Sequence, residues 1–179
     1  MMGLKSILEK HRNNIIAKWF DIVADTYPPD TARFLKSQKD PFANPVGGTT
    51  RQSLESVFNE LLTDADPARI RDALDPVIRI RAVQTFSPSH ATSFVFSLKH
   101  LVRELAEKES CEPKDFIEFS LQLDAVSLIA FEIYMTCREK VWQIRATEQR
   151  DRTFKAFHRA GLVSEAPEDN PGLYKNSLQ

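Results

Sequence analysis

A chain of 179 residues that is 42% apolar and holds 12 phenylalanines is the size of one ordinary domain, with enough apolar surface for a core that needs no staples. Charged residues make up 27% of it and cancel to a formal net charge of -1, so no global field draws it to nucleic acid or anionic lipid. Cys111 and Cys137 form no Cys-x-x-Cys pair, which argues against a disulfide framework or a zinc cluster and fits a reducing cytoplasm. The N-terminal stretch is crowded with Lys5, Glu9, Lys10, His11 and Arg12, and reads as no signal peptide. The most apolar run, Leu121 to Cys137, is interrupted by Asp124 and Glu132 and falls short of the roughly 20 apolar residues of a bilayer span.

With 5 glycines and no sustained apolar alternation, helices dominate. Leu4, Leu8, Ile15, Trp19, Ile22 and Val23 share one helical face, and Tyr27-Pro28-Pro29 stops that first helix, because the residue before proline is pushed out of the α region. A short helix is expected over Asp30 to Ser37. From Gln38 to Gly48, two prolines and two glycines predict about ten residues without regular structure. Leu54, Val57, Phe58, Leu61 and Leu62 then line a helix that ends before Asp66, which caps the next one with Pro67 at its first position. Ile70, Ala73, Leu74 and Val77 continue the pattern, and Pro76 is expected to kink or split that helix. Ser87-Pro88 repeats the capping device ahead of a single amphipathic helix carrying Ala91, Phe94, Val95, Leu98, Leu101, Val102 and Leu105.

From Pro113 the apolar residues Leu121, Leu123, Ala125, Val126, Leu128, Ile129, Phe131, Ile133, Tyr134 and Met135 point all round a helix, which predicts a buried central rod. No breaker precedes Gly161, so the rod continues through a polar, arginine-rich half, Arg138 to Ala160, that is expected to protrude. The predicted fold is an all-α bundle of about six to seven helices with a long C-terminal helix, its domain covering 1–161, followed by a loosely ordered tail over 162–179.

Phe34-Leu35, Gln38-Lys39-Asp40-Pro41-Phe42-Ala43-Asn44-Pro45-Val46-Gly47, Ile78-Arg79-Ile80-Arg81-Ala82-Val83-Gln84, and Phe86-Ser87-Pro88-Ser89 followed by Phe94-Val95-Phe96-Ser97-Leu98-Lys99 occur in that order. Together they resemble the N-terminal domain of the RsbRD group, relatives of the RsbR stressosome co-antagonists. The resemblance implies a globin-like helical bundle without haem, acting as the sensory end of a protein whose STAS domain regulates a kinase of the RsbT type. The residues after Gly161 are too few for a STAS domain, so the expectation is a free-standing sensor or adaptor.

Two groups of residues are candidates for binding a ligand. Gln38, Lys39, Asp40, Phe42 and Asn44 combine amides, opposite charges and a ring in one loop that can order around a ligand or partner. As a plain connector, the same loop would plug the core with Phe42 and satisfy helix amides through Asp40 and Asn44, the latter as a cap before Pro45. Arg79, Arg81 and Gln84 sit among Ile78, Ile80 and Val83, where a partly buried guanidinium needs an anion, either Asp75 or Asp124 from the chain or a bound one.

A haem alternative would use His11 or His90 as proximal ligand, although His90 lies only on the flank of its helix stripe and His100 nearly opposite it. No Ser-His-Asp order, no metal-ligand spacing and no phosphate loop is present, since Val46-Gly47-Gly48-Thr49 lacks the lysine. No catalysis and no metal are therefore expected. The basic surplus of Arg138 to Arg159 reads as a solvated helix face rather than a nucleic-acid contact, because acids dilute it. Cys137, Val141 and Ile144 continue a seven-residue stripe, marking a short seam for a protein partner or a second copy. The expected role is a cytoplasmic stress-signalling sensor, homodimeric, that binds a small ligand or a protein partner and reports through its last helix. A structural adaptor with no ligand is the bland alternative.

Overall fold

The computed structural model describes residues 3–84 and 86–162. Among them are seven helices and no strand: α1 (Leu4–Ala24), α2 (Pro29–Ser37), α3 (Pro45–Leu61), α4 (Pro67–Val83), α5 (Pro88–Thr92), α6 (Phe94–Lys108) and α7 (Pro113–Arg159). The all-α expectation and the long last helix hold. Residues 163–179 of the expected tail lie outside the described residues. Two compact units divide the chain, Met1–Glu139 and Lys140–Gln179.

Five of the seven helices open on proline, which lacks the amide that a first turn cannot use and has its φ already set for a helix. The caps before them are local. Asp66 Oδ1 accepts from the amides of Ala68 and Arg69, both at 3.0 Å, and the Ser87 hydroxyl accepts from His90 N. Asn44 caps α3 by accepting from Gly47 N at 2.8 Å, while its amide group donates to the carbonyls of Leu35 and Gln38. One buried side chain thus joins the end of α2 to the start of α3. It also explains Gly47, where a Cβ would come within 2.2 Å of the Asn44 amide nitrogen.

In the first unit α1 packs on α2, α3 and α6, and α3 packs on α4. Trp19 is fully buried in the middle of this core, and its indole N–H donates to the Phe94 carbonyl at 2.7 Å, tying α1 to α6. The part of α7 through Glu139 buries Phe119, Leu123, Val126, Ala130, Ile133, Tyr134 and Cys137. Arg71 on α4 pairs with Glu132, and Lys99 on α6 with Asp124. In the second unit the helix ends at Arg159, and Gly161 takes a φ of 70°, with Gly161 N donating to His158 O and Leu162 N to Phe157 O. A glycine stop is what the sequence predicted there.

Four expectations need correction. Helix α3 starts at Pro45, so Gly47 and Gly48 lie in a first turn organised by Asn44, and the irregular segment shrinks to Gln38–Asn44. Of the kink or split expected at Pro76, the split does not occur, and α4 runs from Pro67 to Val83 as one helix. The single helix expected after Ser87 is two, α5 and α6, broken at Ser93. Finally, α7 is no rod buried on all sides: Ile117, Leu121, Leu128, Phe131 and Met135 are exposed, with Leu128 at 73% and Leu121 at 64%. At 100° per residue these five fall on one arc and the buried residues on the arc across from it. The helix carries two apolar stripes, only one of which the first unit covers.

Asn44→Ala should cost about 2 kcal/mol, because it removes a cap and leaves the Leu35 and Gln38 carbonyls without their donor. Thermal unfolding followed by circular dichroism should show Tm lowered by roughly 4–8 °C. An unchanged Tm would refute the role of this side chain as the α2–α3 clamp.

Candidate functional site

Residue Arg81, on the last turn of α4, is fully buried and has no carboxylate partner among the described residues. Its Nε donates to the Ala91 carbonyl at 3.0 Å, and its Nη2 donates to the His90 carbonyl at 2.9 Å and to the Thr26 hydroxyl at 3.0 Å. An unbroken helix would offer the carbonyls of His90 and Ala91 to the amides of Phe94 and Val95. Taken by the guanidinium, they end α5 at Thr92, which is the physical reason for the two-helix correction. The guanidinium carbon also stands 4.2 Å from the centre of the Phe86 ring. Its remaining nitrogen, Nη1, is buried and meets no acceptor at hydrogen-bonding geometry among the described residues, with the Tyr27 side chain beside the guanidinium.

The partners of Arg81 line a cleft of about 540 Å³. Its lining includes Thr26, Tyr27, Phe34, Val46, Gln84 and Phe86, together with Asn44 and His90. Tyr27 meets Phe86 edge to face with ring centres 5.1 Å apart, and Phe86 meets the His90 ring at 5.5 Å. Gln84 caps the end of α4. No residue lining this cleft is acidic, and none is lysine or arginine. Burial pushes the Tyr27 phenol above its ordinary pKa, against the pull of the Arg81 charge; burial also pulls the Arg81 guanidinium below its own.

The residues expected to form one site are divided among several places. Asn44 and Gln84 line the cleft. Gln38 and Lys39 line a second one of about 470 Å³, with Asn44 again in its wall and Phe20, Arg51 and Glu55 among its other residues. Arg79 is exposed and pairs with Asp75 one turn back, so the internal carboxylate expected for this segment serves Arg79 and not Arg81. Asp124, the other expected partner, is held by Lys99 at 2.8 Å. The expectation of a core plug fails as well: Phe42 is 97% exposed, because Asp40 accepts from Phe42 N in a tight turn that carries the ring outward. Asp40 satisfies that turn, whereas Asn44 alone caps the helix.

Of the histidines proposed for haem, His11 is half-buried and bonded through Nε2 to Glu109 at 3.1 Å, and His90 lines the cleft. Glu109 is held below the usual carboxylate range, first by Lys10 and then by His11, against the effect of burial. Cys137 is buried, Val141 is half-buried and Ile144 is exposed. Among the described residues no helix is long and apolar enough to cross a membrane, and no group of three or more His, Cys, Asp or Glu is placed to hold a metal ion.

The sequence reading missed Tyr27, Phe34 and Phe86 as cleft residues. The available signal was an aromatic residue just before each of two proline-led helices, Tyr27 ahead of Pro28-Pro29 and Phe86 ahead of Ser87-Pro88. Arg81→Lys should lose about 2 kcal/mol in urea unfolding, since an ammonium cannot reproduce the fork or the stacking on Phe86. Arg79→Lys, in an exposed pair one turn apart, should stay within about 0.5 kcal/mol of the parent. Equal effects at the two positions would contradict the structural role given to Arg81.

The comparisons with known proteins bear on the whole of this arrangement. Residues 13–149 match the family described as the RsbT co-antagonist protein rsbRD N-terminal domain. An uncharacterized protein of Archaeoglobus fulgidus is similar, 22% identical over 141 residues, covering 77% of this chain and 84% of the relative. No solved structure matches.

Proposed function

The chain belongs to the RsbRD N-terminal domain family, a family of stressosome-related signalling domains, and from that premise we propose that it is a sensory and regulatory module without catalysis. In this proposal the cleft between Tyr27, Phe34, Val46 and Phe86 receives the input, and α7 carries the output to a protein partner in the cytoplasm. One observation supports it above others. The Tyr134 hydroxyl on α7 donates to the Phe86 carbonyl at 2.7 Å, and Arg138 Nη1 donates to the Ala82 carbonyl at 3.0 Å. The segment that forms the cleft wall is therefore bonded directly to the last helix. Anything that displaces Phe86 must carry Tyr134 along or break a partly buried bond.

The partner surface in this proposal is the outward stripe of α7, and its occupant is a second copy of the chain. Leu121, Leu128 and Met135 recur every seven residues, with Ile117 and Phe131 in the intervening register, which is the spacing of a helix-to-helix seam. Five side chains of this size, about half open, offer roughly 500 Å² per copy, so that two copies withdraw roughly 1,000 Å² from water, the lower edge of a specific interface. Cys137 faces the core, which leaves Val141 and Ile144 as the only open members of the seam first expected.

Filling the cleft by Thr31→Trp should alter amide hydrogen exchange over Phe131–Arg145, and adding Tyr134→Phe should erase that response. Unchanged exchange in α7 on filling the cleft would overturn the input–output assignment. Light scattering should give a dimer mass for the parent and a monomer for Leu121→Glu with Leu128→Glu. A monomeric parent would remove the second copy from the proposal.

A further inference from the structure

The charge distribution around the cleft identifies the class of molecule it would take. Arg81 lies behind the Phe86 ring with its cation buried; two carbonyl oxygens, the Thr26 hydroxyl, the Tyr27 side chain and the face of the Phe86 ring answer it, and no carboxylate among the described residues does. The two carboxylates expected as its partners are paired elsewhere, Asp75 with Arg79 and Asp124 with Lys99. A positive charge shielded from water and lacking a counter-ion projects its field into the adjoining cavity, where bulk salt screens it weakly. The wall in between contributes no acid that would cancel it. Away from that wall the cleft is apolar, with Phe34, Leu35, Pro45 and Val46.

We propose that the cleft binds a small organic anion, a molecule with one acid group and an apolar or aromatic body, whose charged end lies toward Tyr27, Gln84 and Phe86, in front of Arg81. The body rests on Phe34 and Val46. This inference builds on the assignment of the cleft as the input site and adds the charge of what enters it. A neutral molecule of the same shape gains only the apolar contacts, and a cation meets the field of Arg81 as a penalty.

The test uses the full chain and two dyes that share one ring system: 8-anilino-1-naphthalenesulfonate, and N-phenyl-1-naphthylamine, which has the same rings without the anionic sulfonate. Fluorescence titration should show the sulfonate binding about tenfold more tightly than the neutral dye. Thr31→Trp, at an exposed lining position, should weaken both by about tenfold or more. Gln84→Glu, which places a carboxylate at the same end of the cleft, should abolish the preference for the sulfonate. Equal binding of both dyes, each sensitive to Thr31→Trp, would overturn the anion inference and keep the cleft as a site. Binding of both dyes that ignores Thr31→Trp would overturn the cleft assignment itself. Should Gln84→Glu fail to fold, the two dyes measured on the parent and on Thr31→Trp still decide between these outcomes.

Discussion

The architecture around the cleft depends on where a single buried guanidinium finds its hydrogen bonds. Removing an arginine from water is costly unless its N–H groups meet acceptors, and in this chain the acceptors come from two segments far apart in sequence. Thr26 follows α1, His90 and Ala91 belong to α5, and the Phe86 ring lies in the connection between α4 and α5. Because Arg81 takes the two carbonyls, α5 cannot continue into α6 and stays at five residues. The Phe94 carbonyl that follows accepts from the Trp19 indole, so the break is fixed from two sides. The same side chain that closes the core therefore shapes the wall of the cleft and leaves a positive charge behind it.

Features set by neighbours in sequence were readable from the residues. Asp66-Pro67 and Ser87-Pro88 each pair a capping side chain with a ring that has no amide to satisfy and open a helix where expected, and Asn44-Pro45 does the same inside a stretch expected to be irregular. The partner of Arg81 was not readable in this way. Counting charges leads to a search for a carboxylate, but the acceptors are backbone carbonyls, which no inventory of side chains reveals. The core role expected of Phe42 failed for a related reason: composition marks an aromatic ring as core, while the Asp40 turn beside it decides which way the ring points.

A different ambiguity governs α7. Apolar residues on every side of a helix fit either a rod buried all round or a helix with two separate partners, and periodicity cannot distinguish them. The bundle can cover one arc only. Phe119, Leu123, Val126, Ala130 and Ile133 meet it, and Ile117, Leu121, Leu128, Phe131 and Met135 look away from it. A surface of this kind is legible in a single chain as a contradiction between composition and exposure.

The two properties, a charged wall behind the cleft and a helix with an open apolar face, are linked through Ala82 to Phe86. Both bonds from α7 to this segment end on backbone carbonyls, Tyr134 on Phe86 and Arg138 on Ala82. A side-chain acceptor could rotate to absorb a disturbance in the cleft, but a carbonyl turns only with its peptide plane. The segment is held at the other end by Arg81, whose fork tolerates little displacement before its bonds to α5 fail. A ligand that shifts Phe86 thus has two discrete ways to be accommodated: either Tyr134 follows and α7 moves, or the hydroxyl loses its acceptor at a cost of about 1–3 kcal/mol. Coupling of that size changes an equilibrium between two arrangements of α7 by roughly five- to 150-fold, and the open stripe on the same helix is the surface on which such a change would be felt by whatever packs there.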